Sequence, residues 1–155
     1  MEINYDEIDE EIRTAVYNFN LAGYETIFSC QGHNDDEKGV VCPYLTIKLP
    51  YDNTMTGFIL NNITPIMHIT IRVPASADDV KEVTDEESGE TFFVTDTDKF
   101  LSSHTSNDFV LGIYLNSYIP EDKDSFDRLR KMFIDDLTEL SKYLVTLSEV
   151  YKQCC

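Results

Sequence analysis

Seven apolar residues near the C-terminus set the strongest constraint on how this chain can fold. Leu129, Phe133, Leu137, Leu140, Leu144, Leu147 and Tyr151 follow one another at steps of four, four, three, four, three and four. That period belongs to one face of an α-helix, so the spacing predicts a helix over residues 125–152. At 1.5 Å per residue, ~28 residues make a rod of about 42 Å. A rod with one continuous apolar stripe must lie against something of comparable length. A sheet is the expected platform; dimerisation through the far end of the helix is the alternative.

The rest of the chain supplies that platform. Ile8, Ile12, Ala15, Val16 and Phe19 predict an amphipathic helix over 6–22, with acids in its first turns and Gly23 as its stop. Residues 24–29 are aromatic and β-branched and read as a strand that delivers Cys30 at its end. Residues 34–40 read as a polar loop with Gly39, and 44–49 alternate as a second strand ended by Pro50. Residues 55–62 fit a short helix or an irregular connector. The run 66–73 is the strongest strand, stopped by Pro74, and 109–115 is another with Gly112 inside it. Residues 78–98 are dense in acid around a Ser88–Gly89 turn and read as an exposed hairpin or flap. Helix, strands, then helix predicts a single α+β domain over 1–155, its long C-terminal helix and N-terminal helix packed on a mainly antiparallel sheet of four to six strands.

At 155 residues, with 42% apolar content, nine Phe and nine Tyr, the chain has the material for a real core. No run approaches the ~20 apolar residues of a membrane span. The acidic N-terminus lacks the apolar segment of a secretory signal, so a cytoplasmic protein with reduced cysteines is expected. Twenty-nine acids against twelve Lys and Arg give a net charge of −17. Such a charge disfavours direct binding to nucleic acid or an anionic membrane and favours a protein partner with a basic surface. The plainer explanation of the acids is solubility.

Cys30, His33 and Cys42 form the densest chemical cluster. Thiolates and imidazole suit tetrahedral zinc, and Cys-x2-His-x8-Cys offers three ligands with a turn-forming Gly32 between the first two. A zinc site on this pattern needs a fourth ligand; His68 is the preferred one, with His104, Cys154 and Cys155 as other sources. The simpler reading is a cysteine packed at a strand end, a glycine turn and a histidine capping a carbonyl.

The stretch from Gly23 through Tyr24-Glu25-Thr26-Ile27-Phe28-Ser29-Cys30-Gln31-Gly32 to His33, after an amphipathic helix and before Pro43-Tyr44, resembles a pattern in uncharacterised small proteins of phages and mobile elements. The resemblance covers about the first third of the chain and transfers no catalytic residue. Small acidic phage proteins of this kind include inhibitors of host defences, anti-CRISPR proteins among them. It therefore implies an inhibitor of a host defence nuclease, a CRISPR effector foremost, acting in the host cytoplasm.

Three further patterns bear on function. His68-Ile69-Thr70 and His104-Thr105-Ser106 resemble the signature of two-histidine phosphoesterases, but only the first lies on an apolar strand. The terminal Cys154-Cys155 resembles a prenylation tail without its polybasic stretch. Asp78, Asp79, Glu82, Asp85, Glu86, Glu87 and Glu90 make a nearly continuous negative strip, read either as a solvated flap or as a surface that imitates DNA phosphates. No nucleophile–base pair or phosphate-binding glycine loop is legible. The expected function is an acidic inhibitor that binds its target through this strip, with a structural zinc. A metal-dependent or two-histidine nucleotide phosphodiesterase and an acidic adaptor are the alternatives.

Overall fold

The computed structural model describes residues 2–49, 54–72, 80–96, 98–99, 109–115 and 120–154. Asp78, Asp79, His104, Cys155 and the predicted strand stops at Pro50 and Pro74 lie outside them. A 3-10 turn, Tyr5–Glu7, precedes helix α1 (Arg13–Leu21), and then come strands β1 (Thr26–Cys30), β2 (His33–Asp35), β3 (Gly39–Val41) and β4 (Tyr44–Lys48). Helix α2 (Thr54–Asn61) follows, then β5 (Met67–Arg72), β6 (Val80–Thr84), β7 (Thr91–Thr95), β8 (Val110–Leu115) and the 32-residue helix α3 (Lys123–Cys154). The fold is α+β, as the sequence predicts.

Four strands form one sheet in the order β1-β4-β8-β5, every neighbouring pair antiparallel. Because strand side chains alternate between faces, Leu45 and Ile47 of β4 share a face with Leu111, Ile113 and Leu115 of β8. All five are buried in one cluster with Phe19 of α1 and Phe133, Leu137 and Leu144 of α3. The C-terminal stripe thus packs on the sheet and on α1 over most of its length. Its last members depart from that pattern: Leu147 is only half-buried and Tyr151 is exposed.

On the sheet's other face Tyr44 stacks on Tyr114, ring centroids 5.9 Å apart. The Tyr114 ring lies across Gly112, where a Cβ would sit 2.3 Å from its Cε2. The glycine that interrupts the apolar run is therefore the space the ring occupies.

Two departures from the sequence reading have physical causes. The predicted first helix does not begin at residue 6, because the acids of its first turns are used elsewhere. Asp9 accepts the Gln31 N–H at 3.0 Å, Glu11 pairs with Arg130, and the Arg13 guanidinium caps the Ile8 carbonyl at 3.0 Å. The predicted polar loop 34–40 is a hairpin, β2–β3. Asp35 Oδ1 accepts the Glu37 N–H at 2.8 Å and Gly39 takes φ +85°, which together close its turn.

Candidate functional site

Cys30 ends β1 and pairs with Tyr44; three residues on, His33 opens β2 and pairs with Val41. Gly32 between them has φ +79°, and a Cβ there would lie 2.8 Å from Pro43 Cδ and 3.0 Å from the Val41 carbonyl oxygen. Only glycine fits this close approach. The Gly32 N–H donates to Cys30 Sγ at 3.3 Å. The Glu11 N–H donates to Gln31 Oε1 at 3.0 Å, which ties the stretch to the entry of α1.

Arg130 of α3 completes the junction. Its guanidinium, almost wholly buried, donates to Asp127 at 2.7 and 3.1 Å, to Glu11, and to the Gln31 carbonyl at 3.4 Å. Burial works against the Arg130 charge, and the Glu11 and Asp127 carboxylates more than offset it, so its pKa stands above the ordinary value. Gln31, Gly32, His33 and Asn34 then form one wall of a cleft of about 420 Å³, with Lys123, Asp124 and Arg130 across from them. Sequence reasoning missed Arg130. The signal was present: it lies four residues after Phe126 and three before Phe133, on the buried face of the helix.

The proposed zinc ligands are spread along this region. Cys30 and Cys42 are half-buried free thiols, while His33 and His68 are exposed. Among the described residues no three His, Cys, Asp or Glu side chains gather as a group that could hold a metal. Register places His68 in the same cross-strand row as Cys30 and Tyr44, because Tyr44 and His68 both pair with Tyr114. Three strand spacings separate that histidine from Cys30, roughly 14 Å at ~4.8 Å each, too far to share one ion. Burial pushes the Cys30 thiol up, opposed by the Gly32 N–H and helped by the Asp9 charge. Burial also raises Cys42. Both therefore favour the protonated form, and a metal would have to displace those protons.

The acidic strip takes a defined shape. β6 and β7 pair with each other and with no other described strand. Register sets Glu82 opposite Phe93 and Val83 opposite Phe92, so the two aromatic rings occupy opposite faces. Phe93 is 74% exposed, the most exposed of the large apolar side chains described. At the tip, the Gly89 N–H donates to the Asp85 carbonyl at 2.8 Å, and Asp85 Oδ1 accepts the Glu87 N–H at 2.9 Å. That N–H holds the Asp85 carboxyl below its usual range. Asp85 thus builds the turn, whereas the side chains of Glu82, Glu86, Glu87 and Glu90 are exposed and form no ion pair among the described residues.

Against this geometry the comparisons with known proteins add no assignment: no family model, curated protein or solved structure matches the chain. Among the described residues no helix is long and apolar enough to cross a membrane.

Proposed function

We propose that this chain is a binding protein whose β6–β7 hairpin carries its acidic tip into a basic groove on a partner protein. The observation behind this reading is the hairpin itself: a separate two-stranded sheet with Glu86, Glu87 and Glu90 at or beside its tip and Phe93 bare along its flank. Carboxylates clustered on an arm speed encounter with a basic surface, and an exposed ring beside them supplies the desolvated anchor that slows dissociation. The target class comes from the resemblance to uncharacterised small phage proteins, since small acidic phage proteins include inhibitors of host defences. A nuclease groove built for nucleic acid is basic, and such an arm would occupy it.

The test measures association with purified CRISPR effector nucleases at low and physiological salt. Replacing Glu82, Glu86, Glu87 and Glu90 with glutamine should slow association about tenfold or more and flatten its salt dependence. Phe93→Ala should instead raise the dissociation rate. Unchanged rates in both variants would remove the hairpin from the interface. Turnover of a cyclic-nucleotide panel by the wild type would favour the phosphodiesterase instead.

Zinc at Cys30, Cys42 and His33 is a separate, structural proposal, supported by two free thiols that flank the β2–β3 hairpin; the described side chains do not gather as a ready-made site, so the ion would have to draw them together. Elemental analysis of protein purified without chelator should find near-stoichiometric zinc that Cys30→Ser releases. Metal-free wild type that melts like the zinc-supplemented protein would dismiss it.

A further inference from the structure

The sheet's first edge lies apart from the β6–β7 hairpin and borders a groove. Among the described strands β1 pairs with β4 alone. The Phe28 N–H donates to Thr46 Oγ1 at 3.0 Å, so the Phe28 amide faces β4. By the alternation of a strand, the Ser29 N–H and C=O then face away from the sheet. The Gln31 N–H points the same way and is already taken by Asp9 at 3.0 Å. A bulge between Thr26 and Phe28 turns Ile27 and Phe28 outward, where they are 40% and 66% exposed.

Beside this edge runs a groove of about 750 Å³, walled by residues 2–4, 7 and 8, by Val16 and Asn20 of α1, and by Glu25 and residues 26–29 of β1. Ile3, Ile8, Val16, Ile27 and Phe28 give it apolar lining, and its charged members are Glu2, Glu7 and Glu25, with no Lys or Arg among them. An open strand edge selects an extended backbone. Apolar walls select alternate apolar side chains, and three carboxylates select cations between them. A second copy of this chain is a poor occupant, because edge-to-edge pairing would bring the same carboxylates face to face.

We propose that the β1 edge and its groove bind an extended, basic peptide segment of a partner, which adds as a short strand beside Ser29. The probe is a fluorescent ten-residue peptide of alternating Lys and Val, with alternating Glu and Val as control, followed by anisotropy and by amide NMR. The Lys–Val peptide should bind saturably, protect the Ser29 amide from hydrogen exchange, and be insensitive to the four-glutamine change in the hairpin. Ser29→Pro, which removes the outward donor, should weaken binding at least tenfold. Phe28→Lys, at an exposed position that does not rely on a proline being tolerated, should weaken it similarly. Replacing Glu7 and Glu25 with glutamine should cost severalfold and flatten the salt dependence. Equal binding by Phe28→Lys and wild type would mean attraction to the general negative charge and would overturn the proposal. So would loss of binding with the hairpin acids, or a concentration-dependent dimer that Phe28→Lys abolishes.

Discussion

The body of the molecule and its β6–β7 arm use the same residue types for opposite ends. Phe133 of α3 is wholly buried, enclosed by a cluster that includes side chains of the sheet and α1, while Phe93 of the arm is 74% exposed. In the body, Glu11 and Asp127 are spent on Arg130, whereas in the arm Glu86 and Glu90 meet no cation among the described residues. Aromatic and acidic content therefore says little until position is known. The same ring stabilises the fold in one place and is available to a partner in the other.

Substitutions separate the two roles, and the largest effect belongs to the body. Phe133→Ala should cost about 3–5 kcal/mol in denaturant unfolding, because a large cavity opens at the centre of the core. Phe93→Ala should change stability by less than about 0.5 kcal/mol. A comparable loss from both would mean that the arm packs into the body and would break the contrast. Next comes Arg130→Met, expected to cost about 2 kcal/mol, since Asp127 and Glu11 lose charged hydrogen bonds but remain open enough to hydrate. Its readout besides stability is faster hydrogen exchange at the Gln31 and Glu11 amides.

A smaller effect appears on acidification. The Arg130 guanidinium, with Lys131, holds the Asp127 carboxyl below its usual range. Its folded pKa is then lower than its unfolded one, so its contribution is present above the ordinary carboxylate value near pH 4. It is lost as pH falls through the folded value. Asp127→Asn should flatten the acid limb of the stability curve. Asp85→Asn, in the arm, should leave that limb unchanged, although Asp85 also titrates low through the Glu87 N–H. If both variants alter the acid unfolding of the body equally, arm and body are one cooperative unit.

What could be read from the sequence followed from periodicity. The stripe from Leu129 to Leu144, the alternation of Leu45 and Ile47, and the alternate residues Leu111, Ile113 and Leu115 of the apolar run at 109–115 each report burial directly and pack in or against the core, whereas Phe109 at the head of that run is exposed. The β2–β3 hairpin was illegible because its pairing rests on the turn made by Asp35 and Gly39, with no apolar face to announce it. The start of α1 was misread because acids suited to a helix N-terminus were claimed by Gln31 and Arg130, residues distant in sequence. The Ser29–His33 stretch stood out for its metal-binding residue types. Its evident role in the fold is to join β1, α1 and α3, and the residue that makes the join, Arg130, carries no motif.

The order of strands in the sheet governs when this protein can fold. β8 lies between β4 and β5, yet it is made after both, and α3, which covers the face they build, is made after β8. Until residue 115 has been synthesised, β4 and β5 have no strand between them and the core has no floor. Until α3 follows, it has no roof. The Arg130 contact with Glu11 then joins residues 119 positions apart. Contacts of that span are slow to find, and assembly must wait until α3 has been made. During that interval the β4 and β5 edges stand open, and the high negative charge of the chain opposes their pairing with other copies.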